Sequence, residues 1–230
     1  MIRAFLTALE EIFDPRLRRI LVLSVLLAVA VLLALSAGLA FLLHRTSFFA
    51  IWYLDRAVEL LGGLAILGLT WLFFPAVVTL VLGFFLDGAL AAVESRRYPG
   101  LPPANRQSVL DGLRGGLRLA LLGVALNLLL LPAYLLLPGL NLVLFYTVNG
   151  WLLGREYFEL VALRRLSAEE TKMLWRAHRL RLVASGAAIA FLLTVPLVNL
   201  AAPLIAAIFM LHVVELFRKS RDNVLVSARR

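Results

Sequence analysis

The chain has 230 residues, of which 62% are hydrophobic and only 16% charged, with a mean hydropathy of +0.94. So few charges cannot cover a soluble surface, and the apolar residues gather in long uncharged runs, the mark of membrane segments. The net charge of +9 comes from basic residues that flank these runs. That placement argues against nucleic acid and for a membrane surface or a small anion as partner.

Cysteine is absent, which excludes disulfides, thiol chemistry and Cys-ligated metal. His44, His178 and His212 are far apart and none has a second ligand at helical spacing, so no metal or other cofactor is expected. No Gly-rich phosphate loop and no enzyme motif occurs, and catalysis is not expected. Only Lys172 and Lys219 are lysines; the other 21 basic residues are arginine. Arginine suits bidentate oxyanion binding, but an Ala-, Leu- and Gly-rich chain also reflects GC-rich codons.

Along residues 2–13, Ile2, Phe5, Leu6, Leu9, Ile12 and Phe13 recur at helical spacing, which predicts an amphipathic helix along the membrane surface. Asp14-Pro15 reads as an N-cap followed by proline in the first helical position. Residues 20–43 carry no charge over 24 positions, about 36 Å as a helix, long enough to cross. This run reads as a retained anchor, being longer than a signal h-region. The loop 44–59 contains Trp52 and Tyr53, suited to an interfacial belt. Residues 60–86 form a second uncharged run, with Pro75 expected to kink it.

Two further apolar runs, 119–154 and 182–214, are each interrupted by two prolines: Pro132 and Pro138 in one, Pro196 and Pro203 in the other. Breaks there would leave arms of about 16 to 22 Å, short of a hydrocarbon core of about 30 Å. Such arms predict re-entrant hairpins that return to their side of entry. If only the two long runs cross, 21 basic residues lie on one face and two, Arg45 and Arg56, on the other. Four conventional crossings would reduce the split to 14 against nine. The positive-inside rule favours hairpins and puts both termini in the cytoplasm.

The fold class expected is therefore an all-α integral membrane protein. It has two long transmembrane helices, two proline-broken hairpins, and cytoplasmic helices over 155–181. The hairpins share a Pro-x-x-Asn-Leu core, at Pro138–Leu142 and Pro196–Leu200, and aligned on it Glu156 and Glu215 fall one position apart. Duplication of interrupted helices is a device of transport proteins. Turns ending inside hydrocarbon need cover, which predicts a homo-oligomer. Ser167-Ala168-Glu169-Glu170 is a capping box, and Lys172, Arg176 and Arg179 come after it along one face of its helix.

The stretch Leu153-Gly154-Arg155-Glu156-Tyr157-Phe158-Glu159-Leu160, with the His/Arg-rich helix after it and Pro196-Leu197-Val198-Asn199, resembles the CysZ family of bacterial inner-membrane proteins. That family is related to the eukaryotic etoposide-induced proteins. The resemblance implies sulfate uptake feeding cysteine biosynthesis. It also implies a sulfate-binding segment at Arg16-Leu17-Arg18-Arg19, where the family carries Gly-Leu-Arg-Arg. Arg16 replaces the glycine, removing a position of close backbone approach and adding a donor.

That segment also has a physical case, since free N–H groups at a helix start and paired arginine donors both favour an anion. Asp14 competes for the same N–H groups, and arginine at a membrane edge is also ordinary topology anchoring. Arg155, Glu156 and Glu159 either line an ion path or tie the helical base together. Asn141 and Asn199, inside apolar runs, either contact the ion or cap helices at the proline turns. The competing class is a membrane scaffold that transports nothing.

Overall fold

The computed structural model describes residues 1–46, 52–105, 109–136 and 138–227. Part of the 44–59 loop and the side chain of Trp52 lie outside the described residues. The described chain is helical: α1 (Ile2–Glu11), α2 (Pro15–Arg45), α3 (Trp52–Arg97), α4 (Val109–Leu136), α5 (Asn141–Ala162), α6 (Ala168–Thr194), α7 (Pro196–Asn199) and α8 (Ala202–Ser227), with a 3-10 turn at Pro138–Leu140. Among the described residues, three helical stretches are long and apolar enough to cross a membrane: α2, the Asp55–Arg97 stretch of α3, and α6. The chain is an all-α membrane protein. In α6 the charges stop at Arg181, so its uncharged part covers 182–194 alone, about 20 Å.

The chain divides into two compact units, residues 15–89 and residues 1–14 with 90–230. In the first, α2 and α3 run antiparallel. The Ser36 and Thr70 hydroxyls are 2.7 Å apart, and at the far end His44 Nδ1 lies 2.8 Å from Glu59 Oε1. Pro75 sits inside α3 without ending it. Trp71 and Phe84 are more than four-fifths exposed, an arrangement stable only where hydrocarbon is the solvent.

The second unit is organised around α8. Nearly every side chain from Ala202 to Val214 is buried, the pattern of a helix apolar all round and enclosed by others. One side receives α1, with Ala4 and Ala8 buried and the Phe5 ring edge-on to Phe209 at 5.3 Å. The opposite face of α1 presents Ile2 and Leu6 outward, and Phe13 just after it is also exposed. α5 and α6 enclose α8 further. The chain's own helices therefore cover α8.

The proline motifs sit at helix breaks. Pro138 opens the 3-10 turn before α5, and Pro196 opens the single turn of α7 after Val195 turns extended. Pro132 differs from expectation, lying inside a continuous α4. One interior proline removes one backbone hydrogen bond, which a long helix tolerates. The helix before the first break is accordingly longer than the expected arm.

Candidate functional site

Pro15 is the first residue of α2. Arg16, Arg18 and Arg19 come next in its opening turns with exposed side chains, while Leu17 is buried. This alternation reflects helical spacing, with Leu17 about two turns before the buried Ser24 on the same face. Three guanidinium groups thus stand beside a helix start, whose N–H groups carry partial positive charge.

Of the residues considered for an ion path, Arg155 and Glu159 are brought together, while Asn141 lies far along the same helix. Arg155 Nε donates to Glu159 Oε1 at 2.8 Å, and its guanidinium lies over the rings of Trp151 and Trp175 at 5.9 and 6.0 Å. Glu156, next to it, is exposed. Asn141 is 14 positions before Arg155 on the same helix, about 21 Å along its axis. The capping alternative for Asn141 is corrected: Leu140 occupies the cap position of α5 without a side-chain hydrogen bond. Asn141 Oδ1 is buried without a partner. Asn199 ends α7, its backbone N–H bonded to the Val195 carbonyl at 2.8 Å. The two glutamates paired by the internal repeat also part company. Glu215 is buried and accepts from Arg218 at 2.8 Å.

What the fold does assemble is a charged base joining α1, the end of α3, the α5–α6 loop and α8. Glu94 accepts from Arg165 Nη1 at 2.6 Å and Nη2 at 3.0 Å, and from Arg164 Nε and Nη2 at 3.2 Å each. All three side chains are less than a tenth exposed. The hydrogen bond to Glu94 holds the Arg165 guanidinium above its ordinary range, against the effect of burial.

Glu11 is buried beside this cluster. It accepts from Arg97 Nε at 2.7 Å and lies 3.2 Å from His212 Nε2. Burial opposes its charge, but the hydrogen bonds from His212 and Arg97 outweigh it and hold the carboxyl below its ordinary range. An ionised carboxylate only accepts, so His212 Nε2 carries the proton that points to it. In the neutral ring, Nδ1 then accepts from the Tyr98 hydroxyl 2.7 Å away. The Tyr98 phenol is pushed up to about 12 by burial and by the charges of Glu215 and Glu11. Arg96 pairs with Asp14 at the end of α1. These contacts join residues 70 to 201 positions apart, and no local spacing reports them. The one sequence signal is His212, a polar residue among apolar neighbours.

A second feature, not anticipated from the sequence, is the α5–α6 seam. Gly150 and Gly154 form a Gly-x-x-x-Gly pair facing Gly186. A Cβ at Gly150 would lie 2.9 Å from the Val183 carbonyl oxygen, and one at Gly154 would lie 2.5 Å from that of Leu182. Small residues at this spacing let membrane helices pack backbone to backbone. The seam sets the position of Arg155 against Trp175. The capping box is formed, with Glu170 N donating to Ser167 Oγ at 3.2 Å and Ser167 N to Glu170 Oε2 at 3.0 Å.

These features define a class: an all-α integral membrane protein with a buried ionic base and an arginine-rich helix start. Residues 4–203 match the family described as sulfate transporter CysZ/etoposide-induced protein 2.4, and the chain belongs to that family. No curated protein and no solved structure matches it significantly.

Proposed function

We propose that this protein admits sulfate, or a closely related oxyanion, across a bacterial inner membrane, supplying sulfur for cysteine biosynthesis. The observation that carries the reading is the set of exposed arginines, Arg16, Arg18 and Arg19, at the start of α2 in a chain of the sulfate transporter family. Their donors fit a tetrahedral oxyanion, and the helix start adds N–H groups and a positive dipole end. The excess of basic residues beside the apolar runs supports cytoplasmic termini and raises positive potential where an anion leaves the membrane. Assembly as a homo-oligomer belongs to the same reading, since non-helical turns that end inside hydrocarbon need protein to cover them.

The test is uptake of radiolabelled sulfate by liposomes containing only the purified protein. Entry above that of protein-free liposomes is expected. Equal entry in the two would overturn the proposal and favour a scaffold.

A further inference from the structure

An open apolar groove of about 470 Å³ lies between α5 and α6, lined among others by Tyr146, Thr147, Leu180, Val183, Ala184 and Ala187. It exists because Ala184 and Ala187 are too small to fill the space beside the neighbouring Gly150–Gly186 contact. Leu180 lines one end and is 81% exposed. Here the chemistry changes: after Arg181 the helix is uncharged to Thr194, while before Leu180 come exposed Arg179, Arg176 and Lys172. Arg176 and Arg179 both fall within the four residues before Leu180, on either side of His178, where α6 kinks away from helical φ/ψ, and the exposed Met173 lies further back along the chain.

The acids on this half of α6 are engaged. Glu169 accepts from Lys172 at 3.0 Å, and Glu170 is held in the capping box. Among the described residues no carboxylate pairs with Arg176 or Arg179, so two cations stand at the charged end of an apolar groove.

We infer that this groove, with Arg176 and Arg179, is a binding site for one anionic phospholipid, whose acyl chain lies along the groove and whose phosphate meets the two arginines. A chain alone would fill an apolar groove without discrimination. The arginines confer selectivity for a negative headgroup at the boundary where they can reach water. Thr147 and the Tyr146 hydroxyl leave the rest of the lining almost wholly apolar, which suits a hydrocarbon chain and not a free oxyanion. The site is independent of the arginines at the start of α2 and of what the protein transports.

Lipid binding to the intact protein is read by native mass spectrometry, titrating phosphatidylglycerol against phosphatidylcholine of the same chains. The intact protein should prefer phosphatidylglycerol. Arg176→Gln with Arg179→Gln should weaken phosphatidylglycerol roughly 30-fold, about fivefold per cation, and leave phosphatidylcholine unchanged. Ala184→Trp, which fills the groove, should weaken both lipids. Equal affinity for the two lipids in the intact protein, or an unchanged preference in the double variant, overturns the proposal. So does chainless glycerol phosphate binding as tightly as the lipid, or a dimer that excludes both lipids and dissociates on Ala184→Trp.

Discussion

Gly186 of α6 lies so close to Gly150 of α5 that a methyl group on it would fall well inside contact with the Gly150 carbonyl oxygen. In a hydrocarbon solvent no hydrophobic force drives two apolar helices together, so close packing and weak Cα–H···O contacts hold the pair. Gly186→Ala must separate backbones that cannot yield. It should destabilise the protein by about 1 to 3 kcal/mol, the usual range for overpacking. Gly68→Ala in α3, where a Cβ meets nothing within 4 Å, should be neutral or slightly stabilising. Thermal unfolding in mild detergent compares the two; equal stability would deny the seam its role.

Glu94 is the shared acceptor for two guanidiniums that are 7% and 8% exposed. Removing it as Glu94→Ala leaves both buried without their common partner, a loss of about 3 to 5 kcal/mol. Glu94→Gln keeps an acceptor and should cost less. An unfolding midpoint unchanged in Glu94→Ala would show that the arginines find water or another partner without penalty.

The Glu11 carboxyl is depressed in the folded state from an ordinary value of 4.5. A depressed folded value means the contribution is fully present above about pH 4.5 and is lost as pH falls through the folded value. Hydrogen exchange in α1, corrected for intrinsic rate, should therefore stay slow to about pH 4.5 and accelerate below it. Glu11→Gln should expose α1 to faster exchange already at neutral pH, with a flatter profile. Identical profiles would mean that other contacts dock α1.

Arg18→Ala combined with Arg19→Ala should weaken sulfate binding, each lost charge-assisted bond costing roughly 1.5 to 3 kcal/mol if desolvated. Both side chains are exposed, so the fold should survive. Calorimetry with unchanged sulfate affinity would move the binding segment elsewhere.

Because the chain has no cysteine, single cysteines report topology cleanly. Ser47→Cys and Ser167→Cys should react with an impermeant maleimide from opposite faces of the membrane. Labelling of both from outside would replace the hairpins with conventional crossings.

The all-α membrane class is legible in the sequence because hydrocarbon imposes local requirements: uncharged runs, flanking arginines and internal hydrogen bonding are properties of neighbouring residues. The capping box at Ser167, the start of α2 at Pro15 and the breaks at Pro138 and Pro196 are equally local. Pro132 departs from expectation because a proline ends a helix only where the next turn also leaves it. Leu136 completes α4, and the chain turns only at Pro138.

Tertiary structure decided everything that joins distant positions. It placed Glu94 against Arg164 and Arg165, and Glu11 against His212, across 70 and 201 residues. It set Gly150 and Gly154 against Gly186, where the signal is the absence of a side chain and becomes meaningful only once a second backbone approaches. It made α8 the enclosed helix and left α4 facing outward, although both read as comparably apolar runs. The physical reason is common to all four. Burial and ion pairing depend on the distance between side chains, and for residues on different helices that distance is created by packing alone.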